Sequence, residues 1–305
     1  MERKYSHIIV IGVDGAGGWF RSADTPYFDK IFCNGAVTYR ALSSKPTISA
    51  ECWGSMLIGV GPEVHKLTNR RVSVLPYPVW SKNPTVFRRI RRAYPKAELG
   101  AYCDWKPIIK GIAEKGIRIS SASARDKELT PMICDYIRNK KPDFLFVHFD
   151  STDGAGHKHG YGTAEHLSAI NKVDKLIGDV YSAVTEAEML ENTLFIVIAD
   201  HGGTNPGNGQ GGSHGGWTDE EKYVTFAATG KGINKTEINE MNIRDLAAVI
   251  LYAAGIELPL FNEKGWTAQI PAGLFADYSG EYRDISHLTG APPRISREHH
   301  KSELI

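Results

Sequence analysis

Two aspartates and three histidines fall within thirteen positions in HFDSTDGAGHKHG, residues 148–160, with small residues between them. Two hydrogen-bonded surface turns would account for such a stretch, and so would a site that holds a cation. Similar chemistry recurs elsewhere. IIVIGVDG ends in Asp14, FLFVHFDSTDGAGH carries Asp150, Asp153 and His157, and LFIVIADHGG ends in Asp200 and His201. Each acid alone reads equally well as a turn former or helix cap. Three apolar runs ending in acid, twice with histidine, are not a demand of packing. A cluster of carboxylates repels itself, and a cation is the simplest compensation.

A hydroxyl joins this set. In KPTISAECWGSMLIG, residues 45–59, Ser49 stands just before a helix-like run containing Trp53, Met56 and Leu57. A hydroxyl at a helix N-terminus feels the positive end of the dipole, which favours an alkoxide. The alternative is that Thr47 or Ser49 only caps the helix.

The elements that must position these residues follow from hydrophobic pattern. Residues 7–13, 97–103, 143–149, 193–199 and 223–229 are continuous apolar runs, as expected of strands covered on both faces. Residues 163–187 repeat Leu167, Ile170, Val173, Ile177, Val180 and Val184 at helical spacing, with Thr163 as cap. Residues 242–254 read as a helix ended by Gly255, and 83–94 as one started by Asn83 and Pro84. Strands alternating with helices predict a three-layer α/β sandwich with a mostly parallel central sheet. Carboxyl ends of parallel strands share one edge, so the three acid-bearing ends should converge there. The organisation read is one domain over 1–275, with 66–125 as a lid or insertion and 276–305 as a polar tail.

Bulk properties exclude little. The chain has 305 residues, 42% hydrophobic and 23% charged, with a formal net charge of +1, so bulk charge argues neither for nor against a nucleic-acid partner, and no nucleic-acid polymer is expected. No run is long enough to span a bilayer, and the seven apolar residues after the basic N-terminus end in Asp14 without a cleavage site. No membrane partner and a cytoplasmic location are therefore expected. The four cysteines form no C-x-x-C pair and suit a reducing compartment.

In their order along the chain, Asp14, PTIS (46–49), GVGPEVH (59–65), Asp153-x-x-x-His157 and Asp200-His201-Gly202 resemble the alkaline phosphatase superfamily, most of all its type I phosphodiesterase/nucleotide pyrophosphatase branch. That branch typically shows Pro-Thr-x-Thr, so Ser49 replaces threonine at the nucleophile position. The resemblance implies two zinc ions. One would be held by Asp14, Asp200, His201 and the Ser49 oxygen, the other by Asp153, His157 and His214 of GGSHGG. Asn69 lies about one residue from the asparagine that contacts a phosphoryl oxygen in the branch. Asp150, His159 and His166 match no family role. Mixed imidazole and carboxylate ligands suit zinc first and manganese second. The glycine-rich loop 202–216 lacks Gly-Lys-Ser/Thr and is not a P-loop. It reads as slack that returns His214 to the metal, or as a plain surface loop.

The function implied is a two-metal phosphoester hydrolase working through a phosphoseryl intermediate. A small-molecule phosphoester, such as a nucleotide, would be the substrate, with no oligomeric state legible. A phosphomonoesterase, phosphonate hydrolase or phosphomutase on the same scaffold is the alternative within enzymes. A non-catalytic metal- or nucleotide-binding protein is the alternative outside them.

Overall fold

A computed structural model of the chain describes residues 2–207 and 211–283. In chain order its strands are β1 (His7–Val13), β2 (Ala36–Leu42), β3 (Leu99–Cys103), β4 (Ser120–Ala122), β5 (Phe144–Phe149), β6 (Thr193–Ala199), β7 (Tyr223–Thr229) and β8 (Thr236–Glu237). The helices are α1 (Pro26–Phe32), α2 (Ser49–Ile58), α3 (Pro62–His65), α4 (Asn69–Val74), α5 (Val86–Ala93), α6 (Asp126–Lys140), α7 (Ser151–His159), α8 (Ala164–Glu186), α9 (Asp219–Lys222) and α10 (Asp245–Ala253).

The eight strands form one sheet in the order β4-β3-β5-β1-β6-β7-β2-β8. Only β7 runs antiparallel to its neighbours, so the mostly parallel α/β sheet expected from the apolar runs is present. β5, β1 and β6 sit side by side and parallel, and all three are almost completely buried. Helices α1, α6, α7 and α8 pack with one another, and α2, α4, α5 and α10 form a second group.

The register places the chemistry. Val13 of β1 lies opposite Phe149 of β5 and Ala199 of β6. Asp14, Asp150 and Asp200 therefore leave the sheet from the same row, as convergence at a parallel edge requires. Gly12 precedes this row, and a Cβ there would lie 2.4 Å from the Trp53 ring. A glycine at position 12 lets the α2 indole cross the sheet beside Asp14.

Three local expectations change. Helix α5 starts later than Asn83-Pro84 implied, because Thr85 caps it by accepting the Arg88 N–H. The stretch 66–125 is not a single insertion, since β3 and β4 within it belong to the sheet. The Asp153–His157 segment is helix α7 rather than a bent turn. Its Gly156 admits the Tyr161 ring, 2.4 Å from where a Cβ would stand. Most of the tail, with His299 and His300, lies outside the described residues, while Tyr282 donates to Asp245 at 2.6 Å.

His65, at the end of α3, is buried and neutral. Its Nδ1 accepts the Leu67 N–H at 3.0 Å, which leaves Nε2–H to donate to the Glu51 carbonyl at 3.2 Å. Burial pushes its pKa down to about 3. The unfolded chain protonates near 6.5, so stability is lost as pH falls from about 6.5 towards 3. Between pH 7.5 and 4.5 the wild type should lose about 2–3 kcal/mol more than His65→Gln. Urea unfolding at the two pH values measures this, and equal losses would contradict it.

Candidate metal centre and nucleophile segment

Each strand end delivers its side chain with committed hydrogen bonds. Asp200 Oδ1 accepts the N–H groups of Gly15 (3.1 Å) and His201 (2.8 Å), so its second oxygen is turned into the site. Asp14 Oδ2 accepts from Trp53 Nε1 and His148 Nε2, both at 3.0 Å, which turns Oδ1 the same way. Asp14 Oδ1 and Asp200 Oδ2 are buried and have no hydrogen-bond partner among the described residues. They lie 3.4 and 3.3 Å from His201 Nε2. Burial and then the charge of Asp14 hold the Asp200 carboxyl well above the usual carboxylate range.

The histidines share one arrangement. The Nδ1 atoms of His157, His201 and His214 lie 3.2, 2.9 and 2.7 Å from the carbonyls of Gly212, Gly202 and Thr47. A carbonyl only accepts, so Nδ1 carries the proton and Nε2 faces the site, the usual device for orienting metal-ligating histidines. His157 Nε2 and His214 Nε2 stand 3.2 Å apart. In neutral rings two lone pairs would then oppose each other, which requires a proton or a cation between them. His157 Nε2 also lies 3.2 Å from Asp153 Oδ2, and that bond raises the His157 pKa to about 9. Burial raises Asp153, but His157, the other imidazoles and the Tyr161 hydroxyl outweigh it and hold the carboxyl below its usual range.

Ser49 is the first residue of α2, and Ile48 occupies the cap position without a side-chain bond. The Ser49 hydroxyl is therefore not consumed as a cap. Its Oγ sits 3.3 Å from His201 Nε2, and the residue is 8% exposed. Thr47 is not a cap either. Its hydroxyl donates to the Gly216 carbonyl and accepts the Gly215 N–H, both at 3.0 Å, tying this segment to the glycine-rich loop. That loop is less slack than its composition suggested. Thr204 and Ser213 exchange backbone bonds of 2.8 and 3.1 Å, and Gly212 N–H bonds Gly156 O at 2.9 Å. A Cβ at Gly211 would meet the His157 carbonyl at 1.6 Å, so glycine is required where the loop crosses α7.

All seven residues expected as ligands, Asp14, Ser49, Asp153, His157, Asp200, His201 and His214, are thus adjacent. Ligand atoms of Asp14, Asp200 and His201 lie within 4.8 Å of one another, and so do those of Asp153, His201 and His214. His201 lies between the groups. Unpartnered buried carboxylate oxygens facing oriented imidazole nitrogens fit bound cations and are costly without them. Asn69 accepts the Ala50 N–H at 2.9 Å, beside Ser49. Among residues without an expected role, His159 is exposed, whereas His166 is buried and its Nε2 lies 3.2 Å from Gly15 O.

Sequence reading missed His148 and Trp53 as the clamp on Asp14. The available signal was that His148 is the one polar side chain in the otherwise apolar, fully buried β5. His148→Phe removes one of the two donors that aim Asp14. It should weaken metal binding by about 10–100-fold, with His148→Gln losing less. Competition against a chromophoric chelator checks this, and equal affinity in the Phe variant would remove His148 from the site's support.

Fold and site together define an alkaline phosphatase-like α/β protein carrying a serine at a helix N-terminus beside Asp/His clusters. Residues 105–250 match the family model of type I phosphodiesterase/nucleotide pyrophosphatase, a range that holds Asp153, His157, Asp200, His201 and His214, so the resemblance to this family is borne out there. Murine ectonucleotide pyrophosphatase/phosphodiesterase 5 is similar in structure, with a TM-score of 0.71 at 15% identity, covering 83% of this chain and 96% of that one. The inactive form of that murine protein in complex with AMP has the same TM-score at 16% identity, covering 85% and 96%. At such identity the likeness is one of fold. GPI ethanolamine phosphate transferase 2 of Aspergillus fumigatus is 28% identical over 116 residues, 36% of this chain and 15% of its own length. Ectonucleotide pyrophosphatase/phosphodiesterase family member 1 of Mus musculus is 23% identical over 131 residues, 41% and 14%. The matches thus span only these small shares of the curated relatives.

Proposed function

We propose that the chain is a metal-dependent phosphoester hydrolase with Ser49 as nucleophile, acting on phosphodiester or nucleotide pyrophosphate bonds. The observation that carries the reading is the pair of unpartnered buried oxygens, Asp14 Oδ1 and Asp200 Oδ2, facing His201 Nε2 next to the Ser49 hydroxyl. Zinc is the favoured cation for this donor set, with manganese second. One ion would be held by Asp14, Ser49, Asp200 and His201, and one by Asp153, His157 and His214. When bound, the ions supply positive charge that favours the Ser49 alkoxide and neutralises phosphoryl oxygens.

The chain's own residues do the rest. Ser49 Oγ, at the positive end of α2, attacks phosphorus and expels one leaving alcohol or phosphate, giving a phosphoseryl intermediate that keeps the substrate's other ester group. Water then cleaves the phosphoserine bond and restores the hydroxyl, so two inversions retain configuration. Asn69 Oδ1 is spent on the Ala50 amide, which leaves its NH2 to donate to a phosphoryl oxygen. The Nδ1–carbonyl bonds keep the three imidazoles oriented through the cycle. A small nucleotide substrate is supported by the AMP complex of the murine protein. A reducing compartment is supported by the four free cysteines.

Hydrolysis of bis-p-nitrophenyl phosphate and p-nitrophenyl phosphate by zinc-loaded protein, with an EDTA control, tests the reading. Diester preference abolished by EDTA is expected. Monoester preference would favour a phosphatase or mutase, and no turnover of either ester would favour a binding protein.

A further inference from the structure

We infer that the segment 70–82 docks the protein peripherally on an anionic lipid surface. Residues 64–97 contain nine Lys/Arg and no Asp/Glu, in a chain whose formal net charge is only +1. The same segment breaks the rule that large apolar side chains are covered. Trp80 is 82% exposed, Val74 71%, Leu75 58% and Val79 40%, four of the seven exposed large hydrophobics among the described residues.

These side chains are presented by an anchored loop. Tyr77 is buried, its hydroxyl donates to Asn83 O at 2.9 Å and its N–H to Gly111 O at 2.8 Å. Apolar residues therefore protrude on both sides of a fixed point. Arg70 precedes Val74 by four residues on α4, so the two share a face, and exposed Lys82 follows Trp80. Beside this segment, exposed Leu260 lines a cavity of about 300 Å³ in which Lys82, Arg89 and Lys264 face Glu257 and Glu263, so the acid-free charge is confined to the segment itself.

Not every cation in the stretch is free. Arg88 pairs with Glu114, while Arg91 bonds the carbonyls of Ile117, Pro95 and Arg118. Lys66, Arg70, Lys82, Arg92 and Lys96 remain exposed. Protruding tryptophan and aliphatic side chains flanked by basic residues match an interface of apolar acyl boundary and anionic headgroups. A second copy of the chain fits less well, because a two-fold contact would bring the two acid-free stretches together. Single-stranded nucleic acid fits less well too, because Val74, Leu75 and Val79 offer no ring to stack on a base. No helix among the described residues is long and apolar enough to cross a membrane. The proposal departs from the expectation of no membrane partner and needs a surface contact without a span. Because α4 begins at Asn69, docking would set the Ser49 mouth beside the lipid headgroups.

The test uses the full chain and vesicles of phosphatidylcholine alone or with about 30% phosphatidylserine. Partitioning should be at least about tenfold stronger on the anionic vesicles and should weaken with salt. Leu75→Ser with Trp80→Ser should lower it about tenfold, and Arg70→Gln with Lys82→Gln by a similar factor, on the anionic vesicles. Brominated lipid should quench tryptophan fluorescence in the wild type and far less in Trp80→Phe. An unchanged unfolding midpoint shows that each variant is folded. Equal partitioning on both vesicle types, or unchanged partitioning in the folded variants, overturns the inference. So does displacement from vesicles by a single-stranded oligonucleotide, or a dimer in solution that Trp80→Ser dissolves.

Discussion

Ser49→Ala should lower diester hydrolysis by at least about a thousandfold while leaving the metal content and unfolding temperature close to wild type. The expectation rests on what the hydroxyl does in the fold. Ser49 caps nothing, and its Oγ is placed against His201 Nε2 at the start of α2. Deleting one oxygen costs no secondary-structure bond. Asp14, Asp200 and His201 remain to hold an ion, so binding and catalysis should separate. Turnover of bis-p-nitrophenyl phosphate beside metal analysis makes the comparison. An alanine variant within tenfold of wild type would transfer the attack from serine to water. Acid quenching during turnover adds a second view, because only the wild type should carry a p-nitrophenyl phosphoryl group on residue 49.

Asp200→Asn should move stability and metal affinity in opposite directions. In chelated protein the Asp200 carboxyl is fully buried, and its Oδ2 lacks a donor while Asp14 Oδ1 stands nearby in the same condition. Asparagine keeps a carbonyl oxygen on the Gly15 and His201 amides. Its NH2 replaces the unpartnered oxygen and meets the His201 Nε2 lone pair, now 3.3 Å from Oδ2. The chelated variant should gain about 1–3 kcal/mol, the scale of satisfying a buried polar group and removing a repulsion. On the proposed ligand set, zinc affinity should fall at least about a hundredfold, more than for loss of a supporting residue. Denaturant midpoints in EDTA and chelator-competition titrations read the two effects. A chelated Asp200→Asn protein less stable than chelated wild type would mean that the Asp200 oxygen is already satisfied and that the cation argument is wrong.

The parts of this fold that local pattern dictates were legible. Continuous apolar runs marked β1, β5 and β6, and the acids after them needed only parallel neighbours to converge. Thr163 and the Leu167–Val184 spacing fixed α8 to within a residue at each end. Long-range features were not legible. The His148–Asp14 bond joins residues 134 positions apart, and Trp53 reaches Asp14 only because Gly12 leaves room. Helix α7 was hidden by glycine, aspartate and histidine, which are poor helix formers. Packing against α8 and the Tyr161 ring overrides that propensity. Helix α6 was obscured by Pro131 in its first turns. Trp80 and its neighbours fell inside the stretch read as a lid or insertion, and their exposure was not legible because aromatic content says nothing about which side of a loop faces water.

The shared row of Asp14, Asp150 and Asp200 has a consequence for descent. Side chains along a strand alternate between faces, so deleting one residue from β5, β1 or β6 would turn its terminal acid to the opposite layer. Single-residue insertions and deletions are therefore disfavoured in these three strands of six or seven residues. Change in length falls to the connections between them, where new recognition surfaces can accumulate without disturbing the strand ends.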